Sequence, residues 1–279
     1  MHAILALTAR HVQMLPEALP SYPLANIQHL EAYHYHKALS IYSSGFLQGV
    51  SHNQHAVIAA SLIFVYYSCS LLDFNPAADN PSDDTSITFI RGIRMIVQEM
   101  RITNHVDKPI FTLLFPNMSF MQLHFLPQNP QHGPGKRLLN LIAARPSTEK
   151  HRELYINCVE SLTSYFETCA LQPQAVDPPY AEDLVLYFLR WQAMCPPQFV
   201  QLIQEYDGVA LAILAHYYAA AACHLMRLDK VWWWWKDKPA YMVRTILDYL
   251  SDGEWEEWKE WPRLMLARTE REEGSVDTI

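Results

Sequence analysis

VALAILAHYYAAAACHLMRL, the stretch from Val209 to Leu228, decides how this chain folds. Only Arg227, close to its end, carries a full charge. A helix on the surface of a globular protein keeps a polar face toward water; one that is apolar on every side is enclosed by other elements. The consecutive alanines Ala219, Ala220, Ala221 and Ala222 let a neighbouring helix come close. The stretch is therefore predicted to be the central helix of a bundle.

Outward from this centre, apolar residues step by three and four along several other segments. Tyr35, Leu39, Tyr42 and Phe46 form one such series, Phe89, Ile93, Ile96 and Met100 a second, and Tyr155, Val159, Leu162, Phe166 and Cys169 a third. That spacing places each series on one helical stripe. Boundary signals separate them: Asn75 and Pro76 close an apolar run, Asp83 to Thr85 offer caps for the next helix, and Pro146 with Ser147 opens another. No segment alternates apolar and polar residues between hairpin turns. The expected fold is all-α, a single multi-helix bundle of roughly ten helices with a long irregular loop.

That loop is placed at Pro116 to Arg137, where Pro127, Pro130, Gly133, Pro134 and Gly135 accumulate. The helices on both sides carry apolar stripes that need partners, so the loop is expected to cross one domain rather than divide two. A second break is read at Gln172 to Pro179. Residues 1–268 are expected to form the helical domain, and residues 269–279 a charged, frayed tail.

Half of the 279 residues are hydrophobic, enough for a sizeable core. A formal net charge of -8 argues against a surface that gathers nucleic-acid phosphates. Cys69, Cys158, Cys169, Cys195 and Cys223 lie far apart and form no C-x-x-C pair, so neither a disulfide framework nor a zinc site is expected. Ala56 to Leu72 is uncharged but at the short limit for a membrane span and interrupted by Ser61, Ser68 and Ser70; a buried helix is expected there. The apolar run Ala3 to Ala9 passes straight into Arg10 and His11, a poor signal peptide.

Chemical motifs fail individually. Gly133, Pro134, Gly135 and Lys136 resemble the end of a phosphate-binding loop, yet Pro130 stands where its first glycine belongs. Asp83 and Asp84 begin an aspartate-rich Mg²⁺ motif of the terpene-cyclase kind, but Thr85, Ser86 and Ile87 do not continue it. Asn157, Ser161 and Tyr165 lack the acidic third ligand of its counterpart, so Asp83 or Asp84 is expected to cap a helix instead. His52 and His55 have a metal-compatible spacing with no carboxylate nearby, and His29, His34 and His36 do not form H-E-x-x-H. No catalytic, metal or cofactor residue is assigned.

The C-terminal third is aromatic. Trp232 to Trp235 are consecutive, and Trp255, Trp258 and Trp261 recur every three residues, within one broad face of a helix that they are expected to clamp onto the core. Four adjacent tryptophans cannot all point inward from one element, so at least one is expected to line a groove, contact a partner or stay partly exposed.

Together, LAHYYAAAACHL (Leu214 to Leu225), VWWWW (Val231 to Trp235), the helix Ile246 to Leu250 and WEEWKEWP (Trp255 to Pro262) resemble the end of the fungal transcription factor domain of sterol-uptake-type regulators. MHAILALTARHV, HYHKALSIYSSGF and AVIAASLIFVYYS resemble its opening helices. The resemblance implies a non-catalytic helical regulatory domain in transcription, a nuclear location and an apolar, sterol-like ligand. In that family a binuclear zinc cluster precedes the domain; this chain has no such cluster of six cysteines, so DNA binding is not carried over. Two alternatives remain: a ligand-free interaction module, acting as a homodimer or with a transcription partner protein, and, as an outsider, an isoprenoid-processing helical enzyme.

Overall fold

The computed structural model describes residues 1–15, 23–47, 54–78, 84–102, 133–170, 181–225, 233–251 and 253–276. Among them are eleven α-helices and no β-strand, as the all-α reading expects. They are α1 (His2–Gln13), α2 (Leu24–Leu47), α3 (Gln54–Cys69), α4 (Thr85–Ile102), α5 (Pro134–Ala144) and α6 (Arg152–Ala170). After these come α7 (Ala181–Met194), α8 (Pro197–Gln204), α9 (Gly208–Leu225), α10 (Lys238–Tyr249) and α11 (Glu256–Val276). The break read at Gln172 to Pro179 lies outside the described residues, as does the loop from Pro116 as far as His132.

The chain forms two compact units. The first comprises Met1–Leu71, Asp84–Leu114 and Trp233–Trp235; the second comprises Leu72–Asp83, Phe115–Trp232 and Lys236–Ile279.

In the first unit, α1 packs on α2 and α3, and α3 packs on α4. The uncharged run that begins at Ala56 is α3, which buries Val57, Ile58, Phe64, Val65 and Tyr67. Ile96 of α4 closes on Val57 and Ile58, with Tyr42 and Leu62 at the margin, and the Phe64 ring stacks on Phe89 at 5.3 Å. No described helix is long and apolar enough to cross a membrane. Asp84 caps α4 as expected: its Oδ1 accepts the Ser86 backbone N–H at 3.1 Å and the Ser86 hydroxyl at 2.6 Å. Trp233, Trp234 and Trp235 also belong to this unit, Trp233 lying on His11 at 4.2 Å and Trp234 on Tyr66 at 4.5 Å.

The second unit is built around α9. Every residue from Val209 to His224 is buried, and α9 is surrounded by α6, α8, α10 and α11. Asp207 starts it, its Oδ1 accepting the Ala210 N–H at 2.8 Å and the Tyr155 hydroxyl at 2.9 Å. Gly208 follows because a Cβ there would clash with the ring of Trp255. Trp255 ends a short 3-10 turn, Gly253–Trp255, and Trp258 and Trp261 follow on α11. Trp258 is buried, and Trp261 stacks on His216 of α9 with the ring planes 8° apart, so the three tryptophans clamp α11 as predicted.

Two boundaries differ from the sequence reading. The loop expected to run to Arg137 ends sooner, because α5 starts at Pro134 with Gly133 before it at φ 94°. A proline at the first helical position gives up only an N–H that has no intrahelical partner, so it opens a helix as readily as it breaks one. Gly135 then lets α5 approach α6, a Cβ at that position sitting 3.4 Å from the Phe166 ring. The frayed tail expected from Thr269 is instead the last part of α11, which runs to Val276. Thr269 is buried and donates its hydroxyl to the Met265 carbonyl at 2.8 Å, and Glu270 pairs with Arg244 of α10 at 2.6 Å.

Candidate functional site

The sequence candidates disperse. Asp84 is a helix cap, and Ser161 donates to the Cys158 carbonyl at 2.6 Å while accepting the Trp191 indole N–H at 2.9 Å. Lys136 lies on the exposed side of α5. Asp83 and His52 lie outside the described residues, as does the side chain of His55. Among the described residues, no three His, Cys, Asp or Glu side chains come together to hold a metal ion. All five cysteines are buried thiols outside any disulfide, and burial pushes the Cys158 thiol up to about 12.

What remains is α2. Successive residues of an α-helix turn by about 100°, so Ile27, Glu31 and Ala38 share one side while His29, Tyr33, His36 and Ser40 share the opposite one. The first three are buried. Glu31 is the only acid of this helix, and it is turned inward, 7% exposed. Its Oε1 accepts the Tyr67 hydroxyl at 2.7 Å, and Gln13 of α1 donates an amide N–H to its other oxygen. Burial and the neighbouring carboxylate both raise the Tyr67 phenol, which therefore stays protonated and donating. Arg10 of α1 donates to the Ser70 carbonyl at 2.9 Å. The two bonds to Glu31 fix which face of α2 turns inward.

The outer face bears a shallow hollow of about 440 Å³ lined by His29, Ala32, Tyr33, His36, Lys37 and Ser40. Leu30, Tyr33 and Ile41 are 46%, 49% and 61% exposed along the same helix. His34 stands at the edge of the buried side, its Nδ1 at 2.8 Å from Nδ1 of His2. Of the histidines singled out in the sequence, His29 and His36 thus line the hollow, while His34 joins a residue that no spacing pointed to.

The tryptophans, by contrast, offer little surface. Trp234, Trp235, Trp255 and Trp258 are buried, while Trp233 is partly exposed, as the run of four requires of at least one member. Exposed large apolar side chains of the first unit lie on α1 (Ile4, Leu5), α4 (Met95) and α2 (Leu24, Leu30, Tyr33, Ile41), and on α2 the sequence signal was weak because polar residues interrupt it on every turn. Compared with protein-family models, curated proteins and solved structures, the chain matches none.

Proposed function

We propose that this chain is a non-catalytic regulatory domain acting in fungal transcription in the nucleus, and that it responds to an apolar, sterol-like molecule. One observation carries the reading: two of the segments that resemble the fungal transcription factor domain pack against each other in the second unit. Leu214–Leu225 lies within α9, and the following WEEWKEWP segment covers it, with Trp261 on His216 and Trp255 against Gly208. Asp84 and Asp207 serve as helix caps, and Ser161 accepts the Trp191 indole N–H between two helices. An apolar ligand regulates such a bundle when it binds one packing of the helices more tightly than another.

The test fuses residues 1–279 to a heterologous DNA-binding domain in a yeast reporter strain with normal or depleted sterol. Tryptophan fluorescence of the purified chain is titrated with ergosterol in parallel. Sterol-dependent reporter output with saturable fluorescence supports the reading. A silent reporter in both strains removes the transcriptional role, and unsaturable fluorescence removes the ligand.

A further inference from the structure

Ser147 and Thr148 stand side by side in the 3-10 helix Pro146–His151, which joins α5 to α6, and their hydroxyls are placed in opposite ways. Thr148 is buried, its Oγ1 lying 2.8 Å from the Ile142 carbonyl and 2.7 Å from that of Arg145. Ser147 is exposed, and its Oγ accepts the Arg145 Nε–H at 3.0 Å. Arg145 enters this turn in an extended conformation, φ -94° and ψ 112°. An exposed serine placed two residues after an arginine in extended backbone is the form in which arginine-directed protein kinases take a substrate, because acidic groups in their clefts read the guanidinium.

Arg145 has a second set of contacts. Its guanidinium lies over the Trp255 ring, 4.0 Å from the centroid, and its Nη2 meets Glu254 Oε1 at 3.0 Å. Trp255 in turn covers Gly208, the first residue of α9, and meets Trp258 of α11 edge-on at 5.7 Å. One guanidinium is therefore shared between an exposed hydroxyl and the tryptophan that covers the start of the central helix. All these residues belong to the second unit.

We propose that Ser147 is a phosphorylation site, and that a phosphate there draws Arg145 away from Glu254 and Trp255. In the reaction Ser147 Oγ attacks the γ-phosphorus of ATP held by a protein kinase. The new Oγ–P bond replaces the bond to the β-phosphate oxygen, ADP leaves, and the hydroxyl proton passes to the kinase's carboxylate base. Phosphoserine carries a charge of about -1.5 to -2 and strong acceptor oxygens. A guanidinium engages such a group through two parallel N–H bonds, so Nη2 turns from the carboxylate to the phosphate. Glu254, whose side chain is 59% exposed, is repelled into solvent, and the Trp255 ring loses its cation. The inference does not depend on a sterol ligand or a transcriptional role.

The experiment has two arms. In the first, the folded chain is incubated with arginine-directed protein kinases, Mg²⁺ and ATP, and peptide mass spectrometry locates the phosphate. It should fall on Ser147 and not on Thr148, and Arg145→Gln should take up at least about tenfold less, the cost of one charged hydrogen bond. In the second, phosphoserine is installed at position 147 through an expanded genetic code, and hydrogen exchange is read on the peptide holding residues 253–258. Exchange there should be about two- to fivefold faster than in the unmodified chain, as for the loss of a cation–π contact at a partly exposed site. Arg145→Gln alone should raise exchange to a similar degree, and phosphoserine added to it should raise it no further. Phosphate that reaches Ser147 only in the urea-unfolded chain, exchange that stays equal or slows with phosphoserine, or an equal increase in the Arg145→Gln background would each overturn the proposal.

Discussion

Helices α9 and α2 share a backbone and differ in almost everything else. From Val209 to His224, α9 is buried on every side, whereas the described side chains of α2 are buried only at Ile27, Glu31 and Ala38. Inside α9 His216 Nδ1 meets the Ala212 carbonyl of its own helix at 2.8 Å, while the Tyr217 hydroxyl donates to the Phe188 carbonyl at 3.1 Å and the Tyr218 hydroxyl accepts from Gln192 Nε2 at 2.9 Å, both on α7. Inside α2 an acid reaches across to two other helices. The difference teaches that a helix lacking a polar face is held by packing and polar ties on every side, whereas one with a narrow buried stripe has its rotation fixed by the few polar bonds on that stripe. Only the second kind has a face left for recognition.

Several substitutions would break or sharpen this contrast. Leu211→Ala in α9 should cost about 2–5 kcal/mol, since a wholly enclosed cavity cannot collapse; urea unfolding of the variant measures it. The next effect is one of pH. Burial against Phe166 and Trp261, with the Arg137 charge nearby, lowers His216 from 6.5 to about 4. Between those values the unfolded chain takes up a proton that the folded chain refuses. Stability should therefore fall as pH drops through that window, by ~3 kcal/mol in all, and His216→Met should remove that slope. Above pH 6.5 the two proteins should show parallel profiles.

Gly208→Ala should destabilise by about 1–3 kcal/mol, because the rigid Trp255 ring has to move. Adding Trp255→Leu should recover part of that loss, a coupling that a double-mutant cycle reads directly. The smallest effect belongs to α2: Leu30→Ala should stay within about 0.5 kcal/mol. A larger loss would mean that this face is enclosed in the folded protein, and the contrast between the two helices would fail.

The core was more legible in the sequence than the surface. An uncharged stretch with consecutive alanines has one physical outcome, so α9 could be read directly, and the acid before Thr85 marked the start of α4. Gly133, Pro134 and Gly135 misled because proline and glycine break a helix from within but are accommodated at its start. The charged residues after Thr269 suggested fraying, yet the Arg244 and Glu270 pair and the buried Thr269 hydroxyl hold that end in the helix. The α2 surface was hidden for a different reason. Whether Glu31 points inward depends on Tyr67 and Gln13, distant in sequence, and His34 likewise meets His2 only after folding.

The buried thiols give the molecule an internal clock. A thiol reacts as its thiolate, and one enclosed in apolar surroundings stays protonated and out of reach of alkylating reagents. Cys69 lies in the first unit, and Cys158, Cys169, Cys195 and Cys223 lie in the second. Each alkylation event therefore records the opening of a known part of the chain. Pulse labelling followed by peptide mass spectrometry would rank the two units by how often each one opens, with no residue altered and no probe attached.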